Sequence, residues 1–333
     1  IYNQMNYRQC IIISGLRRVG KSTIMFQMID EIIKKVDPKQ VLYYTLDMGT
    51  EDIKEILDSY SRLTALDWKK EKVYVFLDEI QNLENWESKI KVIYDNFPGL
   101  KFVLSGSSSV SLEKNAISKL TGRYFLNVIK PLKFSEFLAM KKSKAEPTKY
   151  RIWEEELMKA FLEYVRKPFP EVVNWNSELL IKKYYRESVI DKVLRIDLID
   201  RFSDINESLL MRLLEMFYES PGMIINYDKL SSELRVGKKT LVDHIYYLEF
   251  SYLIRKVKNI RPSSLSTSRK MQKVYPYHWA LIYGFTEVDD GSTVSLNSRG
   301  TNYVRWYSED EAGNEQDVKQ QAIEINSLPV ADS

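Results

Sequence analysis

One stretch of the sequence decides the fold of this chain: Gly15-Leu16-Arg17-Arg18-Val19-Gly20-Lys21-Ser22. An apolar run, residues 10–13, comes directly before it, and a helical pattern, residues 23–33, follows it. A buried strand, a glycine loop that ends in Lys and Ser, and the start of a helix are together typical of a phosphate-binding loop, or P-loop. A glycine loop that joins a strand to a helix by chance is the alternative.

The residue types in the loop suit a nucleotide. Gly15 and Gly20 let the backbone turn tightly and approach a phosphate chain, and the first turn of the helix adds unpaired N–H groups. We expect Lys21 to reach the β- and γ-phosphates and the Ser22 hydroxyl to hold Mg²⁺. The predicted nucleotide-binding residues are Gly15, Leu16, Arg17, Arg18, Val19, Gly20, Lys21, Ser22 and Thr23.

A second motif contains two carboxylates. The apolar run Val73-Tyr74-Val75-Phe76-Leu77 ends in Asp78 and Glu79. Downstream of a P-loop, this pattern is typical of a Walker B strand rather than of an ordinary strand end. We expect Asp78 to hold Mg²⁺ and Glu79 to orient and deprotonate the attacking water, so that Glu79 and Lys21 are catalytic residues.

An extra strand, residues 41–47, lies between the two motifs. It suits an α/β P-loop NTPase fold with a parallel five-stranded core sheet of order 5-1-4-3-2, in which the Walker B strand is not next to the P-loop strand. The missing neighbour is then residues 101–108, and we expect Ser105 or Ser107 to act as a polar sensor of the γ-phosphate or the water. A plain Ser/Gly turn is the alternative.

The fifth predicted strand, residues 124–129, follows Leu120-Thr121-Gly122-Arg123. Arg123 is a candidate arginine finger that stabilises charge on the γ-phosphate, either in cis or across a subunit boundary. Arg17 and Arg18 are alternatives for binding phosphate or a neighbouring subunit. The trans alternative requires a homo-oligomer, which we regard as possible.

These motifs resemble those of a known family. The glycine loop, Leu-Asp-Glu-Ile-Gln with Trp86 five residues later, Leu-Ser-Gly-Ser-Ser, Leu-Thr-Gly-Arg and residues 131–138 are similar to predicted AAA+-superfamily ATPases of archaea and bacteria. The resemblance is specific over residues 8–140 and looser to about residue 283. The resemblance implies Mg-ATP as the ligand. It also implies that the ATPase module is followed by a helical and winged-helix region and then by a small nuclease-like domain of unknown function.

Composition narrows the class of protein. The chain has 333 residues, one cysteine and two histidines. The single Cys10 excludes an internal disulfide and favours a cytoplasmic location, and two histidines argue against a His-based metal site or a Ser/His/Asp triad. No apolar run approaches about 18 residues, so we expect no membrane contact.

The charge is unevenly distributed in the second half of the chain. Residues 235–273 contain ten Lys or Arg and two acids, whereas residues 287–333 contain ten acids and three bases. This asymmetry indicates a segment that faces a polyanion, followed by an acidic tail. We therefore divide the chain into an ATPase domain (1–140), a helical linker or lid (141–206), a winged-helix domain (207–275) and a short α+β tail (276–333).

The winged-helix interpretation predicts a contact with double-stranded DNA through residues 235–273. The third helix, residues 238–250, is expected to enter the major groove near Lys238, Lys239 and Thr240. Phosphate contacts are expected from Arg255, Lys256, Lys258, Arg261, Arg269 and Lys270. Winged helices also serve as protein-docking or lid elements, and that alternative remains open.

The tail lacks a complete nuclease signature. Related chains carry two acids and a lysine that together support metal-dependent cleavage. In this chain Asn326 stands where the lysine is expected, and the other alignment, residues 328–333 with Ala331, lacks both the acid and the lysine. We expect the tail not to be a working nuclease.

The leading hypothesis is a Mg-dependent ATPase coupled to a winged-helix module that contacts DNA. The alternative is a slow, ATP-dependent conformational switch that docks a protein partner with little turnover.

Overall fold

The computed structural model describes most of the chain: residues 1–47, 52–106, 120–149, 151–199, 202, 204–257, 272–285, 302–306 and 319–323. Contacts divide the chain into two units, Ile1–Thr286 and Glu287–Ser333. The first unit contains the sheet, the P-loop and the helical region, and the second contains one described hairpin. The finer boundaries drawn from the sequence stay predictions.

A parallel five-stranded sheet forms the centre of the first half. Its strands are β1 (Cys10–Gly15), β2 (Val41–Thr45), β3 (Val73–Asp78), β4 (Leu100–Ser105) and β5 (Tyr124–Ile129). Their order across the sheet is β2-β3-β4-β1-β5, and every pairing is parallel. The predicted order is confirmed, with β4 between the P-loop strand and the Walker B strand.

Three helices cover the two faces of this sheet: α1 (Lys21–Ile32), α2 (Ile53–Thr64) and α3 (Trp86–Asn96). Ile11 and Ile13 of β1 lie in one apolar cluster with the buried face of α1, whereas Cys10 and Ile12 lie in another with α2 and α3. Alternate residues of one strand thus face opposite helical layers. This two-sided burial explains why the strands are continuous apolar runs rather than alternating patterns.

The second half of the first unit is mostly helical. Its helices are α4 (Phe134–Met140), α5 (Glu154–Arg166), α6 (Glu178–Lys183), α7 (Glu207–Glu219), α8 (Tyr227–Leu234), α9 (Lys238–Phe250) and α10 (Trp279–Tyr283). The chain leaves α6 through two π-helical segments, Tyr184–Ile190 and Val193–Asp197. Strands β6 (Ile254–Val257) and β7 (Lys273–Pro276) pair antiparallel. The expected order of three helices and a two-stranded ribbon over residues 207–276 is present.

His244 joins α9 to the start of α7. Its ring is fully buried, its Nε2 accepts a hydrogen bond from the backbone N–H of Asn206 at 2.9 Å, and its Nδ1 lies 2.7 Å from the carbonyl oxygen of Thr240. These partners require the neutral ring with the proton on Nδ1, because Nε2 must accept. His244 is therefore a packing residue and not part of a metal site.

The P-loop packs against the helical region. Leu16 and Val19 are buried in the same apolar cluster as Phe169, Val172 and Tyr184. The side chains of the loop therefore complete the core of the second half of this unit.

In the second unit, β8 (Asn302–Trp306) and β9 (Lys319–Ile323) form an antiparallel hairpin. The segments on which the nuclease argument rests, including Asn326 and Ala331, lie outside the described residues. No helix within the described ranges is both long and apolar enough to cross a membrane.

The first prediction concerns the joint made by His244. We expect His244→Ala to lower the free energy of unfolding by about 2–4 kcal/mol, because it opens a cavity in the core and leaves the partly buried N–H of Asn206 without its acceptor. Lys239→Ala, an exposed change on the same helix, should stay within about 0.5 kcal/mol of the wild type. Urea unfolding measures both, and equal stability of the two variants would contradict the assignment.

The second prediction concerns Gly15. A Cβ on Gly15 would lie 2.3 Å from the carbonyl oxygen of Ile129, and the residue has a φ of +144°. We expect Gly15→Ala to destabilise the protein by about 2–4 kcal/mol, because backbone atoms of β5 must move.

Gly122→Ala is the matched control for that change. Gly122 also has a positive φ, +77°, but a Cβ there would meet nothing within 4 Å. Its cost should be limited to the left-handed conformation, about 1 kcal/mol. Thermal unfolding of the two variants isolates the clash, and a control as unstable as Gly15→Ala would show that the clash is unimportant.

Candidate nucleotide-binding site

The site begins where β1 ends. Gly15 lies against β5, and Gly20, with φ +94°, is the N-cap of α1. Lys21 is the first residue of α1, and its Nζ donates to the carbonyl oxygens of Gly15 and Leu16 at 3.2 and 3.0 Å. The lysine side chain thus curls back over the loop to which it belongs.

Lys21 is buried, and burial shifts its ionisation. Its side chain is 6% exposed, and this burial lowers its pKa to about 8. The carboxylate of Glu79 opposes the shift, while the guanidinium of Arg17 reinforces it. A desolvated ammonium is a strong partner for an anion, because water no longer competes for it.

Asp78 accepts hydrogen bonds from three directions. The Tyr43 hydroxyl donates to its Oδ2 at 3.1 Å, and the Ser105 hydroxyl and the N–H of Glu79 (3.0 Å) donate to its Oδ1. The side chain is 4% exposed. Its orientation is therefore fixed by neighbours on β2 and β4.

Glu79 directly follows the strand in a left-handed conformation, φ +53°. Its Oε2 accepts a hydrogen bond from the side-chain amide of Gln81 at 2.5 Å. A non-glycine residue in this conformation is uncommon, and such residues concentrate at functional sites. The turn carries the carboxylate past the end of β3, at the same sheet edge as the P-loop.

The arginines of the loop both pair with acids of the helical region. Arg17 Nε and Nη2 donate to the two carboxylate oxygens of Asp197 at 2.8 and 2.5 Å. Arg18 lies 3.4 Å from a carboxylate oxygen of Glu171 in an exposed contact. The structure thus shows intrachain partners for both of these arginines.

Arg123 does not lie at this edge. It precedes β5, and the register pairs Tyr124 with Cys10 at the start of β1 and Ile129 with Gly15 at its end. A six-residue strand spans roughly 17 Å, so Arg123 lies at the opposite end of the strands from the P-loop. There it pairs with Asp95 at 2.8 Å. The cis role expected for Arg123 is incompatible with this placement.

The other predicted site residues differ in how far their side chains are buried. The side chains of Leu16 and Val19 are buried in the apolar cluster and pack against the helical region. Ser22 is half-buried and Thr23 is exposed in the first turn of α1. Ser107, the alternative to Ser105, lies outside the described residues.

Sequence reasoning missed three residues of this site. Tyr43 and Gln81 orient the two carboxylates, and Asp197 binds Arg17. Gln81 lies two residues after Glu79, which is a local signal. Asp197 is separated from Arg17 by 180 positions, and nothing in the local sequence points to it.

The arrangement fits a magnesium-bound nucleoside triphosphate. The first turn of α1 offers N–H groups, Lys21 offers a cation, and Ser22 and Asp78 offer the hydroxyl and carboxylate oxygens that Mg²⁺ takes together with phosphates. Within the described ranges, no group of three or more His, Cys, Asp or Glu side chains is placed to hold a metal. Magnesium bound by phosphates needs no such group.

The basic residues of the second half are only partly available. Lys239, Thr240 and Arg255 are exposed. Lys238 pairs with Asp228 at 2.6 Å and Lys256 with Glu249 at 2.7 Å. Residues 258–271, with Lys258, Arg261, Arg269 and Lys270, lie outside the described residues.

Two family models match the chain. Residues 7–138 match the AAA domain, and residues 163–291 match a domain of unknown function. The first match spans the whole sheet, and the second spans most of the helical region and the β6–β7 ribbon.

The relatives found by sequence are themselves uncharacterized. One from Methanocaldococcus jannaschii is 26% identical over 77% of this chain and 58% of its own length, and a second from that organism is 26% identical over 83% and 62%. One from Haemophilus influenzae is 25% identical over 74% and 62%. The chain thus spans about three fifths of the length of these relatives.

Solved structures show weaker likeness. The Walker-type ATPase PABY2304 of Pyrococcus abyssi has a TM-score of 0.47 and 14% identity. The superposition covers 84% of this chain and 91% of that chain. AMPPCP-bound DnaA from Aquifex aeolicus has a TM-score of 0.32 and 16% identity, over 74% and 85%. The assignment of the fold therefore depends on the strand order, the glycine loop and the family match.

The glycine loop that starts α1, the acidic end of β3 and the insertion of β4 between β1 and β3 occur within one matched segment. Residues 7–138 match the AAA domain and have the α/β P-loop NTPase fold.

Proposed function

We propose that the chain binds Mg-ATP at the P-loop edge of its sheet and hydrolyses it. One observation carries this proposal: Lys21, Asp78 and Glu79 meet at one sheet edge, and their neighbours orient both carboxylates.

Each residue has a separate part in the reaction. Bound Mg-ATP supplies the reactive γ-phosphorus and the ADP leaving group. Lys21 balances negative charge on the phosphates, and Ser22 and Asp78 hold the metal. Glu79 orients a water molecule and accepts its proton, while Gln81 holds the Glu79 side chain in place. Ser105 acts through Asp78, to which its hydroxyl donates.

The region of residues 207–276 is proposed to be a winged helix that contacts duplex DNA. Support comes from the order of α7, α8, α9, β6 and β7 and from exposed Lys239 and Arg255 near the start of α9 and on β6. These cations would neutralise phosphates as α9 approaches the major groove.

A slow nucleotide switch is the second candidate function. The burial of Leu16 and Val19 among residues of the helical region favours this function, because a movement of the loop would change the packing of that region. In this version ATP sets the position of the helical region for a protein partner, and hydrolysis only resets it. Arg123 then has no catalytic part unless copies of the chain assemble.

The third prediction tests turnover by phosphate release. Lys21→Ala should abolish detectable ATP binding, and Glu79→Gln should keep binding but lower turnover by about 10²–10³-fold, because the base is lost. Glu84→Gln, at an exposed position in the same loop, is the matched control and should behave as the wild type. A wild-type chain that binds ATP and releases almost no phosphate would favour the switch.

The fourth prediction tests the DNA contact by titration of duplex DNA at several salt concentrations. Lys239→Glu combined with Arg255→Glu should weaken binding by about tenfold or more and reduce the salt slope by about two, since two phosphate contacts are lost. Lys159→Glu with Lys192→Glu changes the net charge equally at exposed positions outside residues 207–276. Equal losses in both pairs would mean that only overall charge matters.

A further inference from the structure

The contact between Arg17 and Asp197 joins the P-loop to the helical region. It is bidentate, with both oxygens of Asp197 engaged, and the Asp197 side chain is 7% exposed. Asp197 ends the second π-helical segment, whose Val193 and Leu194 lie in the same apolar cluster as Leu16 and Val19. A carboxylate from the far half of the unit is thus buried beside the loop.

Asp197 belongs electrostatically to the nucleotide site. Its negative charge acts to raise the pKa of Lys21, and the charges of Glu79 and Lys21 act on its own pKa in opposite directions. Burial raises the pKa of Asp197, and the Arg17 guanidinium opposes that rise. Three acids, Asp78, Glu79 and Asp197, therefore share the neighbourhood of Lys21 and Arg17.

A triphosphate at this loop adds several negative charges to that neighbourhood. A buried carboxylate and a phosphate repel each other strongly, because the surroundings screen them poorly. Arg17 matches the geometry of either anion with its planar fork of N–H donors. Arg17 is therefore suited to bind either anion.

We propose that Asp197 is a built-in competitor for the γ-phosphate of ATP, and that transfer of Arg17 from Asp197 to that phosphate loosens residues 189–199 from the P-loop. This inference depends on the proposed binding of ATP at the same loop. ADP has no γ-phosphate, so it leaves the Arg17–Asp197 pair in place. The helical region then distinguishes ATP from ADP through this pair.

The test compares ATP and ADP binding by calorimetry, in Mg²⁺, for the wild type, Asp197→Asn and Glu171→Gln. Asp197→Asn keeps the shape and removes the competing charge, so ATP should bind about tenfold more tightly, with a smaller change for ADP. Glu171→Gln removes the exposed partner of Arg18, which lies at 3.4 Å, and should change either affinity less than about twofold, as expected for a surface pair.

The outcomes separate this inference from the proposed function. If no protein binds ATP, the proposed function fails. If the wild type binds ATP and Asp197→Asn binds it equally or more weakly, the nucleotide site stands and the competition is wrong. A stronger gain for ADP than for ATP would also overturn it, because the γ-phosphate would not be the competitor.

A second measurement needs no variant and covers the case in which Asp197→Asn fails to fold. Amide hydrogen exchange of the wild-type chain should speed up across residues 189–199 with ATP compared with ADP. Residues 209–217 of α7 serve as an internal reference and should exchange equally in both. Unchanged exchange at residues 189–199 while ATP binds would show that Arg17 keeps Asp197, and would overturn the proposal.

Discussion

The close approach of Gly15 to the carbonyl oxygen of Ile129 is the constraint on which the site depends. It leaves no space for a side chain at the point where β1 passes into the loop. Because β5 pairs with β1 along its whole length, this contact fixes where the strand ends and the loop begins. The position of Lys21, six residues later, follows from it.

Two ionisable side chains are buried around that loop for different reasons. Lys21 is held by carbonyl oxygens, which are weak partners for an ammonium, whereas Asp197 is held by a guanidinium with matched geometry. A buried ion pair adds little net stability, because desolvation offsets much of the attraction. The proposed binding of an anion at this loop would give the buried ammonium of Lys21 a partner of opposite charge.

Much of the ATPase half could be predicted from the sequence, because its signals are local. Apolar runs marked the strands, the glycine spacing marked the loop, and the position of Asp78 and Glu79 at a strand end marked the carboxylates. Tyr43 and Asp197 could not be predicted, since each reaches the site only through the packing of distant segments. The cis alternative for Arg123 is wrong because Arg123 precedes β5, and in a parallel sheet the start of that strand lies away from the P-loop.

The burial of Leu16 and Val19 among residues of the helical region has a consequence for modularity. The family boundary near residue 138 separates two sequence modules, but the hydrophobic core crosses it. An ATPase half cut out at that boundary would expose two apolar side chains on its most important loop. Recombination of this half with a different C-terminal region would therefore give a stable protein only if that region has a complementary apolar surface. The two modules are thus expected to be inherited together.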